Sequence, residues 1–243
     1  MSSKLVLFAS FICLSIGISA QTISEPYIFP VRPGSNEWVA LKTTEGRVKA
    51  CQIPDSILQQ MSTEALVKTC VDYPFFMDIF LYDNLLKGVK LVSTYFNGIS
   101  ELTKRQDAGK ALLSAYSKID PAVINPKITK VQIGNQSMLL TYYEVLMFNC
   151  DISVSMSDEE KKGLVKELLL KVDAKSKYQN IYSATAFSTP LVLIGNTVLI
   201  DPSKQNSIAN FDQKQFDQFL QTGRFQDDKL FSIIYQAGTK FIQ

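Results

Sequence analysis

The stretch "VDYPFFMDIFLYDN", residues 71–84, sets Asp72, Asp78 and Asp83 among Tyr73, Phe75, Phe76, Phe80 and Tyr82. Paired carboxylates are one catalytic arrangement open to a chain that contains no histidine. A glycosidase of that kind holds two acids roughly 5–10 Å apart across the scissile bond. Asp78 with Asp83, or Asp72 with Asp78, are the best local pairs. Read as a helix, however, five steps from Asp78 to Asp83 turn about 140°, so those two would not face one substrate. As a ligand or interaction site the same region offers Tyr73, Asp78 and Asp83, with Arg105 further along.

A third reading favours the core. A helix over 75–95 puts Phe75, Ile79, Tyr82, Leu86 and Val89 on one face, with Asp78 inside the apolar arc. Asp83 and Lys90 fall at its wet margin, and Phe76 and Phe80 point elsewhere, so the aromatics form no continuous platform. A carboxylate on such a face needs a partner, because an unpaired buried charge is costly. Arg105 and Arg47 are the nearest cations in sequence, with tyrosine hydroxyls and helix-start amides as alternatives. The expectation is that Asp78 anchors a polar network between helices and does no chemistry.

The absence of histidine excludes Ser-His-Asp and Cys-His nucleophile systems and HExxH zinc sites. No CxxC spacing and no glycine-rich phosphate loop is present, so neither a metal nor a cofactor is expected. The net charge of +2, with no block of like charge, gives no reason to expect nucleic acid as a partner. Asn135-Gln136-Ser137 is a glycosylation sequon that matters only in a eukaryotic secretory pathway.

The first twenty residues, "MSSKLVLFASFICLSIGISA", run from basic Lys4 through an uncharged apolar stretch to small Ser19 and Ala20. That is the layout of a secretory signal peptide, too short in its apolar part to span a bilayer. The remainder is expected to be exported, periplasmic or secreted, with no integral membrane segment. Of four cysteines, Cys13 lies in this leader, leaving Cys51, Cys70 and Cys150. An odd number excludes a fully paired disulfide framework. The preferred reading is buried thiols; a single disulfide, if formed, would join Cys51 to Cys70 and gain about 3 kcal/mol from loop closure.

Residues 21–34 hold Pro26, Pro30 and Pro33 and read as an extended arm anchored by Tyr27 and Phe29. From Ser35 helix signals recur. Ser35, Thr43 or Thr44, Ser62, Asp107 and Asp212 are candidate caps, and Ser157 opens a capping box with Glu160. Behind it Leu164, Leu168 and Val172 make one stripe, and Asp158–Lys162 and Glu167–Lys171 pair on a solvated side. Residues 137–149 are apolar on several sides and read as a buried helix. The segment "STPLVLIGNTVLIDP" fits either a helix or a β-hairpin near 191–200, and its helical neighbours favour the helix. The fold expected is all-α: a compact irregular array of about ten to twelve helices over 35–243. The loop at 120–127 is the place where two lobes would divide.

The phrases "RPGSNEWVALKTTEGRVKACQIP", "MSTEALVKTCVDYPFFMDIFLYDN", "FNGISELTKRQDAGKALLSAY" and "SDEEKKGLVKELL" resemble a group of exported bacterial proteins of unknown function. The resemblance covers most of the chain after the leader and is weakest in the middle and over 184–201. It implies an exported helical protein of a bacterial envelope and brings no activity with it. The function expected is therefore non-enzymatic binding of a protein, peptide or glycan, or a structural role in the envelope. A His-free, carboxylate-pair hydrolase is the alternative.

Overall fold

A computed structural model of the chain describes residues 22–121, 129–178, 182, 185–205, 208, 211–226 and 228–243. The leader and most of the loop at 120–127 lie outside the described residues. Among those described the fold is all-α, with fourteen α-helices, one 3₁₀ helix and no strand. The first half holds α1 (Asn36–Ala40), α2 (Thr44–Ala50), α3 (Asp55–Leu58), α4 (Thr63–Val71), the 3₁₀ helix (Phe76–Leu81), α5 (Leu85–Tyr95), α6 (Asn97–Leu102) and α7 (Ala108–Ser117). The second half holds α8 (Lys130–Asn149), α9 (Ile152–Ser155), α10 (Asp158–Ser176), α11 (Thr185–Val198), α12 (Pro202–Gln205), α13 (Gln213–Thr222) and α14 (Asp228–Phe241).

The boundaries follow local chemistry. Ser35, Thr43, Ser62 and Asp212 each accept a bond from a first-turn amide of the helix they precede. Such a bond satisfies one of the donors that a helix start leaves unpaired. Ser157 and Glu160 form the reciprocal capping box at α10. Asp107 precedes α7 without capping it; its carboxylate accepts from the Thr63 hydroxyl at 2.8 Å and ties α7 to α4.

The helix expected over 75–95 is two elements. A 3₁₀ helix ends at Leu81, and Asn84 caps α5 by accepting from the Lys87 amide at 2.7 Å. The period therefore changes from 3.6 to 3 residues. Phe76 and Ile79, three apart, are fully buried, while Met77 and Phe80, also three apart, face outward. A Cβ at Gly88 would lie 2.3 Å from the Ile79 carbonyl oxygen, so glycine lets α5 lie directly against the 3₁₀ backbone.

The hairpin alternative at 191–200 is also corrected. Residues 185–198 are helical, and Leu191, Val192, Leu193, Ile194 and Val198 are all buried. Helix α11 touches α8, α10, α13 and α14, which explains a sequence apolar on every side. Helix α8 is the other hub, meeting α4, α5, α7, α9 and α11. One core runs from Phe29 to Ile234 through both hubs. Among the described residues no helix is long and apolar enough to cross a membrane.

Candidate functional site

The 3₁₀ helix sits between two anchors. Phe76 and Ile79 bury inward, Phe76 meeting Tyr142 of α8 edge-on at 4.4 Å between ring centroids. The opposite side is largely open, with Phe80 touching the core only at the Tyr142 ring among the described aromatic pairs, at 6.3 Å between centroids. Met77 is 58% exposed, Phe80 42%, Leu81 77% and Tyr82 36%. Four large apolar side chains within six residues make an exposed shelf. Beside it lies a groove of about 380 Å³ lined by Val71, Met77, Met138, Leu139 and Tyr142, with Asp72 and Asn135 at its polar margin. A short 3₁₀ turn cannot bury every side of an aromatic-rich run, so the shelf follows from the same change of period that corrects the helix.

The individual candidates fall apart from one another. Tyr73 is in the core, stacked on Phe96 at 3.8 Å and 10°, with its hydroxyl buried and without a partner. Asp78 is half-buried, and its partner is neither arginine: the Tyr95 hydroxyl donates to it at 3.3 Å. Burial raises the Asp78 carboxyl above its ordinary value, against a smaller lowering by that hydrogen bond. Asp83 is exposed and pairs with Lys87 at 3.5 Å, one helical turn on. Asp72 is paired with Arg32. The three carboxylates thus have three separate partners.

Arg105 and Arg47 bind backbone instead. Arg105 donates to the carbonyls of Met61 at 2.6 Å and Leu58 at 2.9 Å and pairs with Glu101 at 3.3 Å, closing the C-terminal ends of α3 and its following turn. Arg47 donates to the Trp38 and Leu41 carbonyls at 3.1 and 3.0 Å and lies over the Trp38 ring. Each cation neutralises carbonyls at a helix end, the position where a positive charge is favoured. Cys51, Cys70 and Cys150 are free thiols. Burial pushes all three up, Cys150 to about 12, and the Cys51 thiol donates to the Val31 carbonyl at 3.4 Å.

A second polar centre was missed by sequence reasoning. Glu144 of α8 and Lys175 of α10 are fully buried and paired at 2.8 Å. The Tyr116 hydroxyl of α7 donates to Glu144 Oε1 at 2.7 Å, and the Thr189 hydroxyl of α11 donates to Oε2. Lys175 also donates to the Ala186 carbonyl at 2.7 Å. That carbonyl is four residues before Pro190, which lies inside α11 and has no N–H to offer it. The lysine fills the place of the missing amide. Four helices therefore meet at one ion pair with every strong group satisfied. Burial, and then the charge of Glu144 beside it, hold the Tyr116 phenol well above its ordinary range. Neighbouring Lys171 is buried too, paired with Glu167 at 2.6 Å and lying over the Tyr116 ring, so this part of α10 is not a solvated face. The signals were a lone Glu inside the apolar run of α8 and a proline inside a helix.

Exposed Asp83 also lines a groove, of about 420 Å³, with Leu86, Arg224 and Phe225. The shelf is the place where large exposed apolar side chains accompany one. No family model, no curated protein and no solved structure matches this chain.

Proposed function

We propose that this is an exported, non-enzymatic binding protein that docks another protein on the shelf of Met77, Phe80, Leu81 and Tyr82. One observation carries the reading: four large apolar side chains within six residues are exposed, and one of them, Met77, also lines a groove of about 380 Å³. Exposed apolar patches of this sort mark interaction sites, and aromatic and methionine side chains dominate such contacts. Methionines at 77 and 138 adapt to the shape of a partner. Protein fits better than glycan, because Met77 and Leu81 offer aliphatic surface and no hydrogen bonds to hydroxyls. The hydrolase alternative loses support, since the local carboxylates are each engaged separately and Glu144 is sealed from solvent.

The test is photo-crosslinking in producing cells, with a benzophenone side chain replacing Leu81 and, as control, exposed Lys166. A discrete adduct from position 81 alone, lost on Met77→Glu/Phe80→Ser substitution, is expected in the exported fraction. An adduct of twice the chain mass would identify the partner as a second copy. Equal labelling from both positions, or none at 81, would sink the reading, as would retention of the chain in the cytoplasm.

A further inference from the structure

The start of α5, part of α11 and the end of α13 border a groove of about 420 Å³, within the range of small-ligand pockets. The Arg224 guanidinium donates to the Asp83 carbonyl, so residues 141 apart in the chain meet at its rim. Gly223, at φ +67°, turns the chain out of α13 and sets its backbone against Ser188 of α11, where a Cβ would lie 3.7 Å from the Ser188 Cβ. Leu85 and Leu86 are buried, and the surface they retain gives the groove an apolar side. Half-buried Phe225 adds a ring, held by stacking on Phe219 at 4.2 Å between centroids.

Some polar groups of the lining are committed within the fold. The Thr189 hydroxyl donates to Glu144, and the Thr222 hydroxyl donates to the Gln218 carbonyl at 2.7 Å while accepting from the Arg224 amide at 3.2 Å. Asp83, Asn84 and Arg224 keep capacity. Exposed Asp83 meets Lys87 at 3.5 Å through Oδ1, which leaves Oδ2 as an acceptor. Asn84 uses Oδ1 to cap α5, and among the described residues its Nδ2 donates to nothing. Arg224 uses Nη2, and its Nη1 and Nε make no bond among the described residues. Among those residues the lining holds one acid, Asp83, and one base, Arg224, so it favours neither an anion nor a cation. It sets an acceptor directly beside a donor. A sugar hydroxyl is donor and acceptor at once, so adjacent hydroxyls of one ring match the adjacent side chains of Asp83 and Asn84. The C–H face of the same ring matches an apolar wall with few polar groups around it. We infer that this groove binds a neutral oligosaccharide, with hydroxyls on Asp83, Asn84 and Arg224 and the C–H face against Leu86 and Phe225. The groove begins one residue after the shelf, and the inference rests on no property of the shelf.

Titration calorimetry of the purified chain without its leader tests this, with maltotriose, cellotriose, laminaritriose and chitotriose as sugars and trialanine as the control. At least one sugar should bind, at least about tenfold more tightly than trialanine. Because the ligand is neutral, its affinity should change by less than about twofold between about 20 mM and about 300 mM sodium chloride. Asp83→Ala and Asn84→Asp should each weaken that sugar at least about tenfold, with circular dichroism reporting an intact helical fold. Asn84→Asp keeps an acceptor for the α5 cap and removes only the donor. Arg224→Gln takes its place if that variant unfolds. The Met77→Glu/Phe80→Ser protein should bind the sugar as the parent does. No binding of any of the four sugars, equal binding of trialanine, or a tenfold loss of affinity in salt overturns the inference. Undiminished binding by the folded Asp83 and Asn84 variants overturns it too. Loss of sugar binding in Met77→Glu/Phe80→Ser would move the sugar to the shelf and overturns it as well.

Discussion

Asp78 and the Glu144–Lys175 pair show how differently a carboxylate behaves with a neutral and with a charged partner. Asp78 has only the Tyr95 hydroxyl, and burial raises its carboxyl. The folded chain therefore holds this proton more tightly than the unfolded chain does. Stability falls as pH rises from the unfolded value, about 3.9, through the raised folded value. Asp78→Asn removes that loss and keeps an acceptor for Tyr95. The variant should melt at or above the parent at pH 7, with the advantage fading below about pH 4. A lower melting point at pH 7 would mean that Asp78 has a cationic partner after all. Glu144 is the opposite case. Lys175→Met leaves a buried carboxylate unpaired and should cost about 3–5 kcal/mol in urea unfolding. Adding Glu144→Gln should recover a large part, since the amide oxygen still accepts from Tyr116 or Thr189. A double variant no more stable than Lys175→Met would show that the loss lies at the Ala186 carbonyl instead.

At the scale of elements, the contact between the 3₁₀ helix and α5 is the feature on which the shelf depends. Gly88→Ala drives a methyl into the Ile79 carbonyl, and backbone cannot yield as a flexible side chain does. A loss of about 1–3 kcal/mol is expected from overpacking, against a gain of up to about 1 kcal/mol had Gly88 been an ordinary solvent-facing helix position. Urea titration decides by sign. Most elements with a polar cap were legible: Ser35, Ser62, Ser157 and Asp212 carry their signal in one or two residues. The 3₁₀ segment was not, because Phe75 to Tyr95 satisfies a 3.6-residue pattern nearly as well as a 3-residue one. Asn84, a strong cap residue in the middle of that run, was the local sign of a break. Helix α11 was ambiguous for the reason that makes it a hub: a segment buried on all sides shows no period. The shelf was half legible. Phe80 and Tyr82 stand in the aromatic-rich stretch that the sequence marks, Met77 and Leu81 carry no such mark, and the outward direction of all four depends on the period.

For the whole molecule, the decisive join is between the N-terminal arm and the rest of the core. Residues 22–34 run along α4 and its entry: Ile23 exchanges backbone bonds of 2.8 Å with Gln60 and Ser62, and the Tyr27 amide donates to Thr69 at 2.9 Å. Phe29 is the apolar anchor, 2% exposed, with its ring centroid 5.8 Å from that of Tyr73 and 6.0 Å from that of Phe96. Arg32 and Asp72 tie the arm's end on the surface, both side chains about half-exposed. The two ties differ greatly in strength. Truncating a buried phenylalanine costs about 3–5 kcal/mol, whereas an exposed ion pair contributes up to about 1 kcal/mol. Phe29→Ala should therefore lower stability several times more than Arg32→Ala. Cys51 supplies a local readout, since its thiol is buried against the Val31 carbonyl on the arm. Freed of the Phe29 anchor, the arm should open more often, and Cys51 should react with a thiol reagent at pH 8 well before Cys70, which is fully buried within α4 and, among the described residues, makes no bond to the arm. Equal acceleration of Cys51 and Cys70 in Phe29→Ala would show that the arm and α4 open together as one unit, and that the arm has no separate equilibrium of its own.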